Sequence, residues 1–209
     1  MEYDPQIHHR KSIRLRGYDY SQAGLYFITI CTQNRRHLFG EIVGADSISA
    51  HDSILLNHAG KMIEQIWHEI PNDFDNTRLH EFVIMPNHIH GIIEIPVGAD
   101  SISTPISAPN RAEMDSAPTV LPAIIQSFKR HSTIKYITMV KQHILPPFDK
   151  RIWQRNYWEH IIRNENESER IAQYIMDNPV KWEQDKLNGG SGNQVMESLA
   201  RYNNEEWMI

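Results

Sequence analysis

Phe82-Val83-Ile84-Met85-Pro86-Asn87-His88-Ile89-His90-Gly91-Ile92-Ile93 is the stretch from which the rest of the chain can be ordered. β-Branched and apolar residues crowd both sides of Pro86-Asn87, a turn-forming pair, so the pattern predicts two strands, Arg78 to Met85 and His88 to Pro96. Residues two apart on a strand project to one face. His88 and His90 therefore share a side, where two imidazoles can hold one metal ion, while Ile89 points to the other. A His-x-His pair alone is a weak signal, but this one sits at the heart of an apolar sheet. A closed structural zinc site would call for cysteines, and Cys31 is the only one in the chain. A histidine-triad hydrolase would carry a third histidine where this chain has Ile92. Two imidazoles plus an oxygen ligand leave an open site suited to a phosphate.

Working outward, Leu25 to Thr32 is rich in β-branched and aromatic residues and reads as an earlier strand. Ala59, Met62, Ile63, Ile66 and Trp67 fall at helical spacing between Asn57 and Ile70, and Pro71-Asn72 ends that helix. A second helix runs from Thr119 to Val140, with Pro122 in its first turn. Trp153 to Ile162 reads as a fourth strand. Glu165 to Asn178 is a further helix that stops at Pro179. The order βαββαβ predicts an α+β, ferredoxin-like fold. It has an antiparallel sheet with helices on one face and an added C-terminal helix carrying Tyr174. The expected organisation is a basic N-terminal arm over 1–20, a catalytic domain over 21–182 and an acidic, flexible tail over 183–209. Val43-Gly-Ala-Asp-Ser-Ile-Ser49 recurs letter for letter at Val97 to Ser103. Both copies fall in connections, so they read as loop inserts near 43–53 and 97–118.

The chain has 209 residues and a formal charge of -5. Phosphate binding asks for a basic surface, so the distribution of charge matters more than its total. The acidic tail accounts for -3 of it, which leaves -2 over 1–182. Within that part lie basic groups: Arg10, Lys11, Arg14 and Arg16; Lys129, Arg130 and Lys135; Lys150, Arg151, Arg155 and Arg163. Charge thus permits a DNA partner without requiring one. No apolar run approaches the roughly 20 residues that span a bilayer, and no signal peptide opens the chain. The expectation is a cytoplasmic, reduced setting and no membrane.

Ile171, Tyr174, Ile175 and Asn178 recur at i, i+3, i+4 and i+7 and share one helix face. From spacing alone, a core tyrosine is a better fit than a nucleophile. A phenol, with a pKa of about 10, attacks a phosphodiester only when its proton is removed or its charge is stabilised. Asn178, one turn on, could add an amide oxygen as a third metal ligand beside His88 and His90.

Three segments together resemble a known family. They are Phe82 to Ile93, Trp153-Gln-Arg-Asn-Tyr-Trp-Glu-His-Ile-Ile-Arg-Asn164 and Ile171-Ala-Gln-Tyr-Ile-Met-Asp-Asn-Pro-Val-Lys-Trp182. In this order they are similar to the REP-associated tyrosine transposases, a branch of the IS200-like single-tyrosine HUH transposases. The resemblance implies a divalent ion, Mg²⁺ or Mn²⁺, on His88 and His90, with Tyr174 as nucleophile. Asn178 stands where the wider superfamily places a glutamine ligand. The implied substrate is single-stranded DNA carrying a hairpin repeat, cut through a 5′-phosphotyrosine intermediate. Lys129 and Arg130 lie in a further family-like segment, and with Arg155, Arg14 and Arg16 they are the expected DNA contacts. Tyr157, inside the Trp153–Asn164 segment, and Tyr136, which lacks a matching motif, are rival tyrosines. The chain would act as a monomer or a homodimer, with its tyrosine helix serving its own histidines or a partner's. Three other functions stay open at this point: a replication initiator or relaxase, a DNA-binding regulator that kept the fold and lost catalysis, and a metal-dependent hydrolase of small phosphates.

Overall fold

The computed structural model describes residues 23–43, 54–75, 77–96 and 120–188. The expected basic arm, most of both loop inserts and the tail beyond 188 lie outside the described residues. In chain order the elements are β1 (Gly24–Cys31), a 3-10 turn (Gln33–Arg35), β2 (Gly40–Ile42), β3 (Ile54–Leu56), α1 (His58–His68) and α2 (Ile70–Asp73). They continue with β4 (Arg78–Met85), β5 (His88–Ile95), α3 (Val120–Lys141), β6 (Trp158–Ile162), α4 (Glu165–Asp177) and a closing 3-10 turn (Trp182–Gln184).

The main sheet has four strands in the order β4-β5-β1-β6, and every neighbouring pair is antiparallel. That is the ferredoxin-like arrangement expected from the element order. Strand parity divides the side chains cleanly between the two faces. Tyr26, Ile28 and Ile30 of β1 and Ile89, Ile93 and Ile95 of β5 pack against α1 and α3 through Met62, Ile63, Trp67, Ile124, Ile125 and Phe128. Phe27, Ile92, Trp158 and Ile162 face the other way, against Ile171 and Ile175 of α4. The two core helices therefore cover one face, and the added helix covers the face onto which His88 and His90 project. Gly91 lets the first face close tightly. A Cβ there would lie 2.5 Å from Trp67 Cζ2, so the indole rests on the strand backbone.

Side-chain caps fix the helix starts. Asn57 Oδ1 accepts from Ala59 N and Gly60 N at 2.8 and 3.0 Å, and Asn164 Oδ1 accepts from Glu167 N at 2.9 Å. Glu167 Oε2 in turn accepts from Arg163 N at 2.7 Å, so the β6–α4 junction is tied from both sides.

One expectation is corrected, and two features go beyond the sequence reading. The strand expected over Trp153 to Ile162 forms only from Trp158. Trp153 instead makes an isolated bridge to Thr32, and its indole Nε1 donates to Ser132 Oγ at 2.9 Å. The small β2–β3 hairpin was not expected, because its three-residue strands are too short for a periodicity to show. Finally, the chain just beyond Trp182 is tied to the fold. Leu187 is only 2% exposed, its carbonyl accepts from Asn87 Nδ2 at 2.9 Å, and it packs with Cys31. Among the described residues no helix is long and apolar enough to cross a membrane.

Candidate active site

β5 sets both histidines on the α4 side, and both are fully buried. Their ring centroids are 4.5 Å apart. His88 Nδ1 lies 2.7 Å from Asn87 Oδ1. The Asn87 amide is oriented by its other end, since Nδ2 donates to the carbonyls of Leu187 and, at 3.4 Å, of Arg35. The oxygen therefore faces the imidazole, so His88 Nδ1 carries the proton and Nε2 keeps its lone pair. His90 Nδ1 is paired with Thr29 Oγ1 at 2.8 Å, and Phe27 stacks on the ring. This is the supporting arrangement that orients metal-binding imidazoles. Burial pushes His90 down to about 3. Burial, with His90 alongside, holds His88 well below the usual histidine range. Both rings are consequently neutral near pH 7, the form that ligates a cation.

Tyr174 joins them from α4. Its neighbours Ile171 and Ile175 are anchored in the core beneath the helix, and its ring stands edge-on to Phe27. Tyr174 Oη lies 3.4 Å from His90 Nε2, at the long limit of a hydrogen bond. The sequence-predicted tyrosine and histidines thus meet within one chain. Asn178 caps the same helix and is 4% exposed. Its Oδ1 is buried and has no hydrogen-bond partner, which leaves an acceptor to spare on the face Asn178 shares with Tyr174.

Asp185 escaped the sequence reading. Its Oδ1 accepts from Leu187 N at 2.7 Å, and its Oδ2 stands 3.5 Å from His88 Nε2. Burial raises its carboxyl above the ordinary range. Ligand atoms of His88, His90 and Asp185 all lie within 4.8 Å of one another. His88 Nε2, Asp185 Oδ2 and Asn178 Oδ1 are each buried without a hydrogen bond. Uncompensated acceptors are costly to bury, and a divalent cation is the group that this donor set fits. The sequence held a faint cue, an acid between Trp182 and Leu187. It was passed over because the tail was weighed by net charge and by its Gly-Gly-Ser-Gly run.

The expected DNA contacts fare unevenly. Lys129 is engaged within the fold. Its ammonium donates to the carbonyls of Gln154 and Asn156 at 3.0 and 3.1 Å and, more distantly, to that of Arg155. Burial lowers it to about 8. Its donors are spent on shaping the segment before β6, which also explains why that segment is not strand. Arg130 and Arg155 are exposed. Arg14 and Arg16 lie outside the described residues. Of the rival tyrosines, Tyr136 is buried in the α1/α3 core against Phe148, on the face away from the histidines. Tyr157 lies under the Lys129 ammonium.

No protein-family profile matches the chain. It is 40% identical over 189 residues to an uncharacterized protein of Haemophilus influenzae, covering 89% of this chain and 97% of that one. It is 26% identical over 162 residues to the REP-associated tyrosine transposase of Escherichia coli, covering 78% of this chain and 70% of that protein. A solved REP-associated tyrosine transposase bound to a REP hairpin aligns with a TM-score of 0.46 at 22% identity, covering 82% and 73% of the two chains.

Proposed function

We propose that the chain is a REP-associated tyrosine transposase, like its 26% identical Escherichia coli relative, and that it cuts and rejoins single-stranded DNA, using Tyr174 as nucleophile beside a divalent ion. The observation that carries this reading is the 3.4 Å approach of Tyr174 Oη to His90 Nε2, in a histidine pair whose ring nitrogens are otherwise set up for ligation.

His88, His90 and Asp185 would hold the ion, with Asn178 Oδ1 as a further oxygen donor. Bound there, a Mg²⁺ or Mn²⁺ ion would polarise a phosphate oxygen and offset the charge that grows during displacement. The remaining work falls to the chain. Phe27, Ile171 and Ile175 fix the Tyr174 ring, so its hydroxyl stays at the histidine edge rather than sampling solvent. Asn87 holds His88 in the required tautomer, and Thr29 orients the His90 ring. The phenolic proton leaves Oη, the Oη–P bond forms and the 3′ oxygen departs as a hydroxyl. The strand is left joined to the enzyme as a 5′-phosphotyrosine. That linkage conserves the energy of the broken bond, so attack by a second 3′-hydroxyl reseals a strand without ATP. Exposed Arg130 and Arg155, and the arm bearing Arg14 and Arg16, are the proposed backbone contacts. The substrate is a single strand with a hairpin repeat, since a base-paired backbone cannot thread a site built at a sheet face beneath a helix.

The test is a cleavage assay on hairpin oligonucleotides with single-stranded flanks, in Mn²⁺ and in EDTA. The wild-type chain should cut only with the metal, and Tyr174→Phe should bind without cutting. Cutting by Tyr174→Phe at the wild-type rate would assign the nucleophile elsewhere. Turnover without any covalent adduct would favour a simple hydrolase.

A further inference from the structure

Arg35 ends the 3-10 turn after β1 and is only 7% exposed. Its Nε and Nη1 are buried without a hydrogen bond, and among the described residues no carboxylate pairs with it. Asn34 and Arg35 both hold positive φ, 55° and 51°, a left-handed conformation that non-glycine residues keep only where their surroundings impose it. The surroundings do so here. Gln33 N donates to Ile152 O at 2.6 Å and Arg35 N to Thr32 O at 3.2 Å, while Thr32 Oγ1 donates to Arg36 O and Asn87 O. The Asn87 amide that receives the His88 ring proton also reaches Arg35 O. A single side chain thus ties this corner to the candidate metal site.

Packing does not call for a guanidinium in such a place, since an apolar side chain would fill it without desolvating a charge. Asp185 does not account for it either. Burial raises the Asp185 carboxyl, and the Leu187 N–H and then the Arg35 charge work against that rise, yet no ion pair joins the two side chains. What remains is a fixed cation beside the histidines with hydrogen-bond donors unspent. A guanidinium fork matches the paired oxygens of a phosphodiester.

We propose that Arg35 is a phosphate-binding residue, gripping the DNA backbone beside the phosphate that Tyr174 attacks. This rests on the strand-cleaving reading above. It assigns Arg35 to substrate binding and positioning, not to metal binding.

The test is binding of a fluorescein-labelled hairpin oligonucleotide with a single-stranded flank, in EDTA, as a function of salt. Wild type, Arg35→Met and Arg35→Lys are compared, each checked by thermal melting. Arg35→Met should bind about tenfold more weakly. Its log K against log salt slope should be shallower by about 0.7, the value for one lost phosphate contact to a single strand. Arg35→Lys should recover the slope, and neither variant should melt earlier than wild type. A second readout needs no variant: the Arg35 Nε–H resonance of the wild-type chain should shift when the oligonucleotide is added. An unchanged slope in Arg35→Met, or an unmoved resonance at saturating DNA, would make Arg35 a purely structural charge and overturn the proposal. Failure of the wild-type chain to bind any such strand would remove the strand-cleaving reading itself, and the role of Arg35 with it.

Discussion

Asp185 Oδ2 stands 3.5 Å from His88 Nε2, and neither atom has a hydrogen bond although both are buried. A buried carboxylate facing a neutral imidazole is unfavourable until a cation joins them. Replacing Asp185 by Ala should therefore weaken Mn²⁺ binding by on the order of a hundredfold, read by calorimetry. Equal metal affinity in the variant would remove Asp185 from the ligand set.

Thr29 acts on the metal site only through His90. Thr29→Val keeps the shape of the side chain but leaves His90 Nδ1 without its partner at 2.8 Å. Losses of about 10–100-fold in metal affinity accompany the removal of such supporting groups. Mn²⁺ titration of Thr29→Val should show a loss in that range, with cleavage falling in parallel at subsaturating metal. A variant with wild-type affinity would show that the hydroxyl does not orient the ring.

Gly91 and Trp67 make a prediction about the fold rather than the chemistry. Gly91→Ala would bring Cβ to 2.5 Å from Trp67 Cζ2 and 3.2 Å from Phe82 Cβ. The aromatic stack of Trp67 on Phe82 leaves little room to retreat. Denaturant unfolding should show a loss of about 1–3 kcal/mol. A methyl accepted at no cost would mean that the indole does not rest on β5.

Glu167 gives a pH dependence. Burial works to raise its carboxyl, but the Arg163 N–H and the His160 ring, at 2.7 Å each, outweigh it and hold the group below the ordinary glutamate range. A depressed folded-state value means that the ionised form favours the fold. This contribution is complete above the unfolded-state value and is lost as pH falls through the folded-state one. Glu167→Gln should cost about 1–3 kcal/mol at neutral pH and much less in acid, so its unfolding curve should converge with wild type below the glutamate range. A penalty of constant size across pH would mark a packing effect instead.

The strands and helices that carry chemistry were legible because each has enough residues to establish a period. β5 announces itself through Ile89, Ile92, Ile93 and Ile95, and α4 through Ile171 and Ile175. The shared face of His88 and His90 followed from strand parity, whereas for Tyr174 spacing alone favoured a core role over a nucleophile. What was not legible shares a cause. A basic residue on a helix gives no sign of the main-chain carbonyls at positions 154–156 that the Lys129 ammonium meets. Asp185 and Arg35 sit in segments without periodicity, and only the tertiary bonds of Asn87 bring those segments to the histidines.

The most direct test of the account is the identity of the residue that becomes attached to DNA. The protein is incubated with Mn²⁺ and a hairpin oligonucleotide with single-stranded flanks, the adduct is digested, and the modified peptide is sequenced by mass spectrometry. The account predicts a 5′-phosphate ester on Tyr174, absent in EDTA. A metal-dependent adduct on Tyr157 or Tyr136, or efficient strand cleavage with no protein adduct, would contradict it.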